Sequence, residues 1–200
     1  TLPDGTLVWL NAGSRITYSQ GFGVGNRKIE LIGEGYFEVK RNEEVPFLVK
    51  TNSLLVKVLG TKFNFRDYPD DAEAIVSLSE GKVALNNLLK KEKEAFLLPN
   101  ERVVLNKKNG RMHVEYSTVS NALQWTNGYL FFDEELLPDV VKELERSYNV
   151  KIQIASDTLN TFRFYGNFVH REQNIQEVLE ALSATRKIHY IIEGHNITLY

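Results

Sequence analysis

Cysteine is absent from this sequence of 200 residues, and proline and methionine are scarce, with five and one. Without cysteine, neither disulfide bonds nor thiolate zinc sites can form. The four histidines are scattered singly through strand-like sequence, at no spacing typical of a zinc site: His113, His170, His189 and His195. No run of eighteen apolar residues is present, so nothing in the sequence predicts a membrane span. We expect neither a metal nor a cofactor.

The sequence also lacks an excess of charge of either sign, because its 24 basic and 26 acidic residues leave a net charge of -2. This balance gives no electrostatic reason to expect nucleic acid as a partner. The glycine-rich segment 21–25 lacks the G-x-G-x-x-G spacing of a phosphate loop, and no G-x-S-x-G elbow is present. The residues alone therefore favour a soluble, non-catalytic interaction module.

The first part of the chain, to about Tyr116, is a series of short strand-like runs separated by Gly, Pro, Asn and Asp. Each run has five to eight residues, and none shows a sustained helical period. The pattern predicts a mainly β domain over residues 1–120. A β-sandwich and a solenoid-like stack of strands remain alternatives.

The second part, residues 121–200, predicts an α+β lobe in the order β-α-β-β-α-β-β, with two helices packed on one sheet. The first helix is indicated by apolar residues at helical spacing: Leu137, Val141, Leu144 and Tyr148. The second begins with a capping box formed by Asn174 and Glu177. We expect a closing hairpin around residues 194–196.

Six motifs in order resemble the periplasmic domain of the FecR family of membrane-anchored anti-sigma regulators. They are LPDGTLVWLNAGS at Leu2, LIGEGYFEVKRN at Leu31, PFLVKTN at Pro46, VLGTKFNF at Val58, VSLSEGKVAL at Val76 and LLPNERV at Leu97. The segment GYLFFDEELLPDVVKELERSYNVKI, followed by FYGNF and VLEAL, resembles the small C-terminal domain of this family. That lobe is similar to the short signalling (STN) domains of secretins and TonB-dependent transducers.

The resemblance implies a periplasmic protein that meets the signalling domain of a TonB-dependent outer-membrane transporter. It would relay a signal to an extracytoplasmic-function sigma factor through a cytoplasmic segment. That segment and a transmembrane helix are expected in the family but are absent from this sequence. We therefore expect the chain to be a piece of a longer protein. The alternatives are a carbohydrate-binding or cell-surface scaffolding module and, third, a glycosidase.

Partner binding of this kind requires exposed strands, and FRFYGNF and NITLY are the candidates. Their aromatic residues cannot all face the core, because neighbours in a strand point to opposite sides. The predicted partner-binding residues are Phe162, Phe164, Tyr165, Phe168, Ile197 and Tyr200. We expect Trp9 and Trp125, the other large aromatic candidates, to be buried.

The Gly60–Thr61 pair lies within VLGTKFNF, and some FecR-like proteins resemble self-cleaving proteins that cut at such a bond. The Thr61 hydroxyl would attack the Gly60 carbonyl carbon and form an ester that water hydrolyses. The structural alternative is a glycine at a strand bulge or close backbone approach, with Thr61 filling the sheet. We favour the structural alternative and predict an intact, non-enzymatic chain.

Overall fold

The computed structural model describes residues 1–117 and 123–200, and the chain divides into two compact units, Thr1–Leu123 and Gln124–Tyr200. The predicted domain boundary, between residues 120 and 121, lies outside the described residues. No helix within the described residues is long and apolar enough to cross a membrane.

The described part of the first unit contains β-strands and turns, as the short apolar runs predict. Its strands are β1 Leu7–Leu10, β2 Arg15–Tyr18, β3 Arg27–Glu38, β4 Phe47–Lys50, β5 Leu54–Val58, β6 Lys62–Asp67, β7 Glu73–Glu80, β8 Val83–Asn87, β9 Ala95–Leu97, β10 Glu101–Asn106 and β11 Met112–Tyr116. They form one eleven-stranded sheet.

The long strand β3 joins the two halves of this sheet. Its C-terminal part pairs with β1 and β6, and the half continues through β7, β10 and β11. Its N-terminal part pairs with β2 and β4, and that half continues through β5, β8 and β9. The short turn 98–100 connects β9 to β10, so the sheet is nearly closed and barrel-like. The mainly β class predicted for this unit is confirmed; of the two architectures that the sequence left open, the observed sheet is closer to a sandwich than to a solenoid-like stack.

The core of the first unit lies between the inner faces of the two halves. Alternate residues of each strand point inward, as the period of two in the sequence requires. The largest fully buried side chains include Phe37, Phe47, Phe63 and Phe65. Phe37 and Phe63 stack, with ring centroids 5.1 Å apart. Burial of each such side chain contributes roughly 1.5–3 kcal/mol to stability.

A buried ion pair fastens the N-terminal turn to the start of β3. The Arg27 guanidinium donates to Asp4 Oδ2 at 2.8 Å and to the backbone carbonyls of Val45 and Lys40 at 2.9 and 2.6 Å. Asp4 also accepts from the backbone N–H and the hydroxyl of Thr6, both at 2.9 Å. These hydrogen bonds replace those that both charged groups made with water, and so offset the cost of burying the pair.

The second unit has the predicted order of elements. They are β12 Tyr129–Leu136, α1 Leu137–Tyr148, β13 Lys151–Ile154, β14 Arg163–Val169, α2 Ile175–Ser183, β15 Tyr190–Glu193 and β16 Asn196–Leu199, with short 3-10 turns at Gln124–Asn127 and Asp157–Thr161. The capping box of α2 is confirmed: Asn174 accepts from the backbone of Glu177, and the Glu177 carboxylate accepts from the backbone of Asn174. The closing hairpin, β15–β16, is confirmed as well.

The expectation of one sheet in this unit is wrong. β12 pairs with β14 in a two-stranded sheet, and β13, β16 and β15 form a separate three-stranded sheet in that order. Apolar residues of both helices and both sheets share one core, including Leu137, Leu144, Leu179 and Ile197. Two small sheets therefore present more strand edges than one five-stranded sheet would.

Replacement of Arg27 by methionine tests the importance of the buried pair. The side chains of Arg27 and Asp4 are 3% and 8% exposed, so the change leaves an uncompensated buried carboxylate. We expect a loss of about 3–5 kcal/mol in the free energy of unfolding, measured by denaturant titration. The matched control is Arg102→Met, which removes the half-exposed pair with Glu115 and should cost at most about 1 kcal/mol. Equal losses in the two variants would contradict this account.

Candidate functional site

The two-stranded sheet β12–β14 has one face in the core and one outside. On β14, Phe164 and Phe168 are 6% and 5% exposed, whereas Tyr165 is 58% exposed. On β12, Leu130 and Phe132 are buried, and Phe131 lies opposite Asn167 on the outer face. The alternation assigns the aromatic residues of FRFYGNF to two different environments.

Gly166 lets the rings of two phenylalanines stack on the inner face of β14, where the alternation of the strand places both side chains. The rings of Phe164 and Phe168 are stacked with centroids 6.1 Å apart and planes 5° apart. A Cβ atom at Gly166 would lie 2.5 Å from the Phe164 ring and 2.9 Å from that of Phe168. The glycine therefore lets the rings lie across the strand, because any larger residue would collide with them.

The structure corrects half of the predicted partner-binding residues. Phe164, Phe168 and Ile197 are core residues, with Ile197 2% exposed. The interpretation of NITLY as an edge strand is wrong, since β16 lies between β13 and β15. Both backbone edges of β16 are therefore paired, and neither is available to a partner strand.

The remaining predicted partner-binding residues are accessible to different degrees. Tyr165 is 58% and Tyr200 50% exposed, and the Tyr200 ring lies beside His189 with centroids 5.8 Å apart. Phe162 is half-buried against the core, with the Lys187 Nζ 5.7 Å from its ring centroid. The structure does not bring these three into one patch on β14, where Tyr165 alone stands on the outer face.

β14 nevertheless has a free edge, because within the described residues it pairs only with β12. Two backbone hydrogen bonds fix which groups face β12: His170 N–H to Gly128 O at 2.9 Å and Leu137 N–H to Phe162 O at 2.8 Å. Even-numbered residues of β14 therefore bond to β12. The N–H and C=O groups of Tyr165 and Asn167 point to the opposite, unpaired edge.

The outer face beside this edge is aromatic, and sequence reasoning missed two of its members. Tyr129 and Phe131 on β12 are each 36% exposed and stand opposite Val169 and Asn167. The signal was present in YLFF, whose alternation puts the first and third residues on the side opposite to the second and fourth. We call Tyr129, Phe131 and Tyr165, with the free edge of β14, the β14 surface.

A bulge in β12 shapes one end of the β14 surface. The pairing register shifts between Phe132 and Glu135, and Glu134 has a positive φ of 57°. The Arg163 guanidinium donates to the Glu134 carbonyl.

A hydrogen bond with the Glu134 side chain raises the pKa of the Tyr165 phenol, so this group is neutral at physiological pH. The surface combines aromatic rings with hydrogen-bonding groups, which suits protein recognition.

Trp9 on β1 is more exposed than the sequence analysis predicted, at 39%. Its ring lies 5.5 Å from that of Tyr36, centroid to centroid. Burial, followed by the nearby Glu38 carboxylate, raises the pKa of Tyr36 to about 12. Tyr36 therefore carries no negative charge near neutral pH. The expected burial of Trp9 is wrong because only one face of β1 contacts the core.

Gly60 lies in the bend between β5 and β6, and the prediction of a strand bulge at this residue is wrong. The bulge is two residues later, between Lys62 and Phe63 in the pairing of β6 with β7. The alternative of a close backbone approach is confirmed, since a Cβ at Gly60 would lie 2.8 Å from the Arg41 Cα.

Thr61 is 4% exposed, and its hydroxyl donates to the Lys82 carbonyl at 3.1 Å. Its own carbonyl accepts from the Val39 N–H at 3.0 Å. The residue thus joins the start of β6 to the turn before β8 and to the end of β3. The described residues contain no group of three or more histidines and carboxylates arranged to hold a metal ion.

Comparisons with known proteins agree with this architecture. The family model described as FecR protein matches residues 1–84, and the model described as FecR, C-terminal, matches residues 129–199. Two crystal structures, at 1.65 and 2.50 Å resolution, of a "putative anti-sigma factor" from Parabacteroides distasonis are similar to the chain. In both, the identity is 35%, the TM-score is 0.89, and the match covers all of this chain and 92% of the other. No curated protein matches.

The chain belongs to the FecR family. The two family models match in the order in which the two units occur, one model to each unit.

We predict that the Gly60–Thr61 bond stays intact, because the Thr61 hydroxyl is hydrogen-bonded to the Lys82 carbonyl and no activating base is part of that contact. Intact-mass analysis after prolonged incubation should show one species of 22.9 kDa. The control is Thr61→Ala, which should give the same pattern. Two fragments that divide after Gly60 in the parent chain, and their absence from the variant, would show that Thr61 is a nucleophile.

Proposed function

We propose that the chain is the periplasmic part of a transmembrane anti-sigma factor. It receives a signal from a TonB-dependent outer-membrane transporter and passes it to an extracytoplasmic-function sigma factor. The observation that carries this proposal is FecR family membership over both units, together with the similarity to a protein described as a putative anti-sigma factor. The sigma factor would be bound by a cytoplasmic segment on the other side of a membrane anchor.

A relay of this type acts through binding equilibria and requires no catalytic step. A partner shifts the equilibrium between two states only by the difference in its affinity for them. The proposal therefore requires a surface that a transporter's signalling domain can recognise. The β14 surface supports it, because a free strand edge and exposed aromatic side chains occur together.

The mode of recognition we propose is addition of a partner strand to the free edge of β14. Main-chain hydrogen bonds to Tyr165 and Asn167 would supply affinity, and contacts with the side chains of the outer face would supply specificity. The exposed rings of Tyr129, Phe131 and Tyr165 provide large contact area with few rotatable bonds. The buried rings of Phe164 and Phe168 hold the strand in place from the inner face.

Titration calorimetry of the cognate transporter's signalling domain against the whole chain tests this proposal. Tyr165→Ala should weaken binding about tenfold or more, since truncation of an interface tyrosine commonly costs 1–2 kcal/mol or more. The matched control is Tyr116→Ala, which truncates an 85% exposed tyrosine in the first unit and should leave affinity unchanged.

A backbone variant separates edge pairing from side-chain contact. Asn167→Pro removes an N–H that faces the free edge and leaves the ladder to β12 intact, so the fold should survive by circular dichroism. We expect it to abolish measurable binding. Unchanged affinity in both Tyr165→Ala and Asn167→Pro would exclude β14 as the partner strand.

A further inference from the structure

The three-stranded sheet of the second unit ends in an edge strand, β15, which pairs only with β16 among the described residues. His189 and Tyr200 exchange two backbone hydrogen bonds, at 2.9 and 3.0 Å. This pair determines which residues of β15 bond to β16 and which face away from it. Odd-numbered residues of β15 consequently bond to β16. The N–H and C=O groups of Tyr190 and Ile192 point to the unpaired edge.

This edge has two of the features that discourage pairing with other chains, its short length and the charge of Glu193, but it lacks two others, lysine and proline. Ile191 and Ile192 are 50% and 40% exposed. Ile191 stands on the outer face opposite Thr198, and Ile192 stands on the inner face opposite Ile197. Apolar side chains are thus exposed on both faces of the same edge.

We propose that β15 pairs with β15 of a second copy of this chain, antiparallel about a two-fold axis that passes beside Ile191. In this register Tyr190 exchanges two hydrogen bonds with Ile192 of the second copy, and symmetry repeats the pair. Ile191 stands opposite Ile191 of the second copy. The exposed Ile192 side chain becomes covered by Tyr190 of the second copy, and two three-stranded sheets become one of six strands.

Complementarity of a hydrogen-bond donor and a charged acceptor selects the second copy as the occupant and this register as the arrangement. His189 lies opposite Glu193 of the second copy, and Glu193 lies opposite its His189, so an imidazole N–H meets a carboxylate at both ends. A shift by two residues in either direction would put Ile191 opposite a histidine or a carboxylate. Self-complementarity of this kind is what a two-fold interface requires.

The absence of cysteine makes a direct test possible. In a non-hydrogen-bonded antiparallel pair the Cα atoms are about 4.5 Å apart, within the roughly 4.4–6.8 Å of disulfides. Ile191→Cys should therefore form a disulfide-linked dimer under mild oxidation, visible by intact mass. The matched control is Thr198→Cys, one strand inward on the same face, whose copies would be about 14 Å apart. Cross-linking of Ile191→Cys no faster than that of Thr198→Cys would overturn the proposal.

Reversible association is tested by sedimentation velocity of the cysteine-free chain over a concentration series. The parent chain should show a concentration-dependent dimer. His189→Glu should weaken it about fivefold, because it puts two carboxylates opposite each other at two symmetric positions. Glu193→Lys should also weaken it, because it removes the carboxylate that accepts from His189 of the second copy. The double variant puts opposite charges at these positions and should recover dimerisation. A parent chain that stays monomeric throughout, or a double variant without recovery, would contradict the proposal.

Ile192→Pro distinguishes a second copy from another occupant of the same edge. The variant removes only an edge-facing N–H, so β15 keeps its bonds to β16. We expect loss of the dimer with unchanged binding of the transporter's signalling domain. Loss of that binding from a chain that is monomeric before and after the change would assign the edge to the transporter and refute self-pairing.

Discussion

β3 passes through both halves of the first unit's sheet, and Gly33 lies where the strand passes from one half to the other. Gly33 has a positive φ of 97°, and a Cβ there would lie 2.4 Å from the Ser14 Oγ. The same Ser14 hydroxyl accepts from the Glu34 N–H at 2.8 Å and donates to the Tyr68 hydroxyl at 3.1 Å. A side chain at Gly33 would remove this contact and force an unfavourable backbone conformation. The passage of one strand through both halves is therefore favoured by glycine at this position.

Buried polar contacts also connect β3 to neighbouring segments of the first unit. Glu34, 4% exposed, accepts from the side-chain amides of Asn11 at 2.9 Å and Asn64 at 2.8 Å, which ties the turn after β1 and strand β6 to β3. The Arg27–Asp4 pair does the same at the other end of the strand. Such groups are costly to bury and costly to leave unpaired, so they favour one arrangement of strands over alternatives of similar apolar burial.

Local patterns in the sequence predicted local structure well. The period of two in the first unit gave its strands, and the capping box at Asn174 marked the start of α2. The errors concern long-range pairing. NITLY predicts an edge strand because nothing within it indicates a parallel neighbour, and that neighbour, β13, lies about 45 residues earlier in the chain. The alternation of FRFYGNF places Phe164 and Phe168 on one face, but which face lies in the core depends on the packing of the whole unit. Pairing of this kind depends on contacts that no short stretch of sequence contains.

We assign separate roles to two strand edges of the second unit, β14 for the transporter and β15 for a second copy. Hydrogen–deuterium exchange of the chain with and without the transporter's signalling domain distinguishes them most directly. The amides of Tyr165 and Asn167 make no hydrogen bond to β12, so they should exchange fast in the free chain and slowly in the complex. We expect this protection, with none added at Tyr190 and Ile192. Protection confined to residues 1–117 would contradict the claim that the second unit receives the signal.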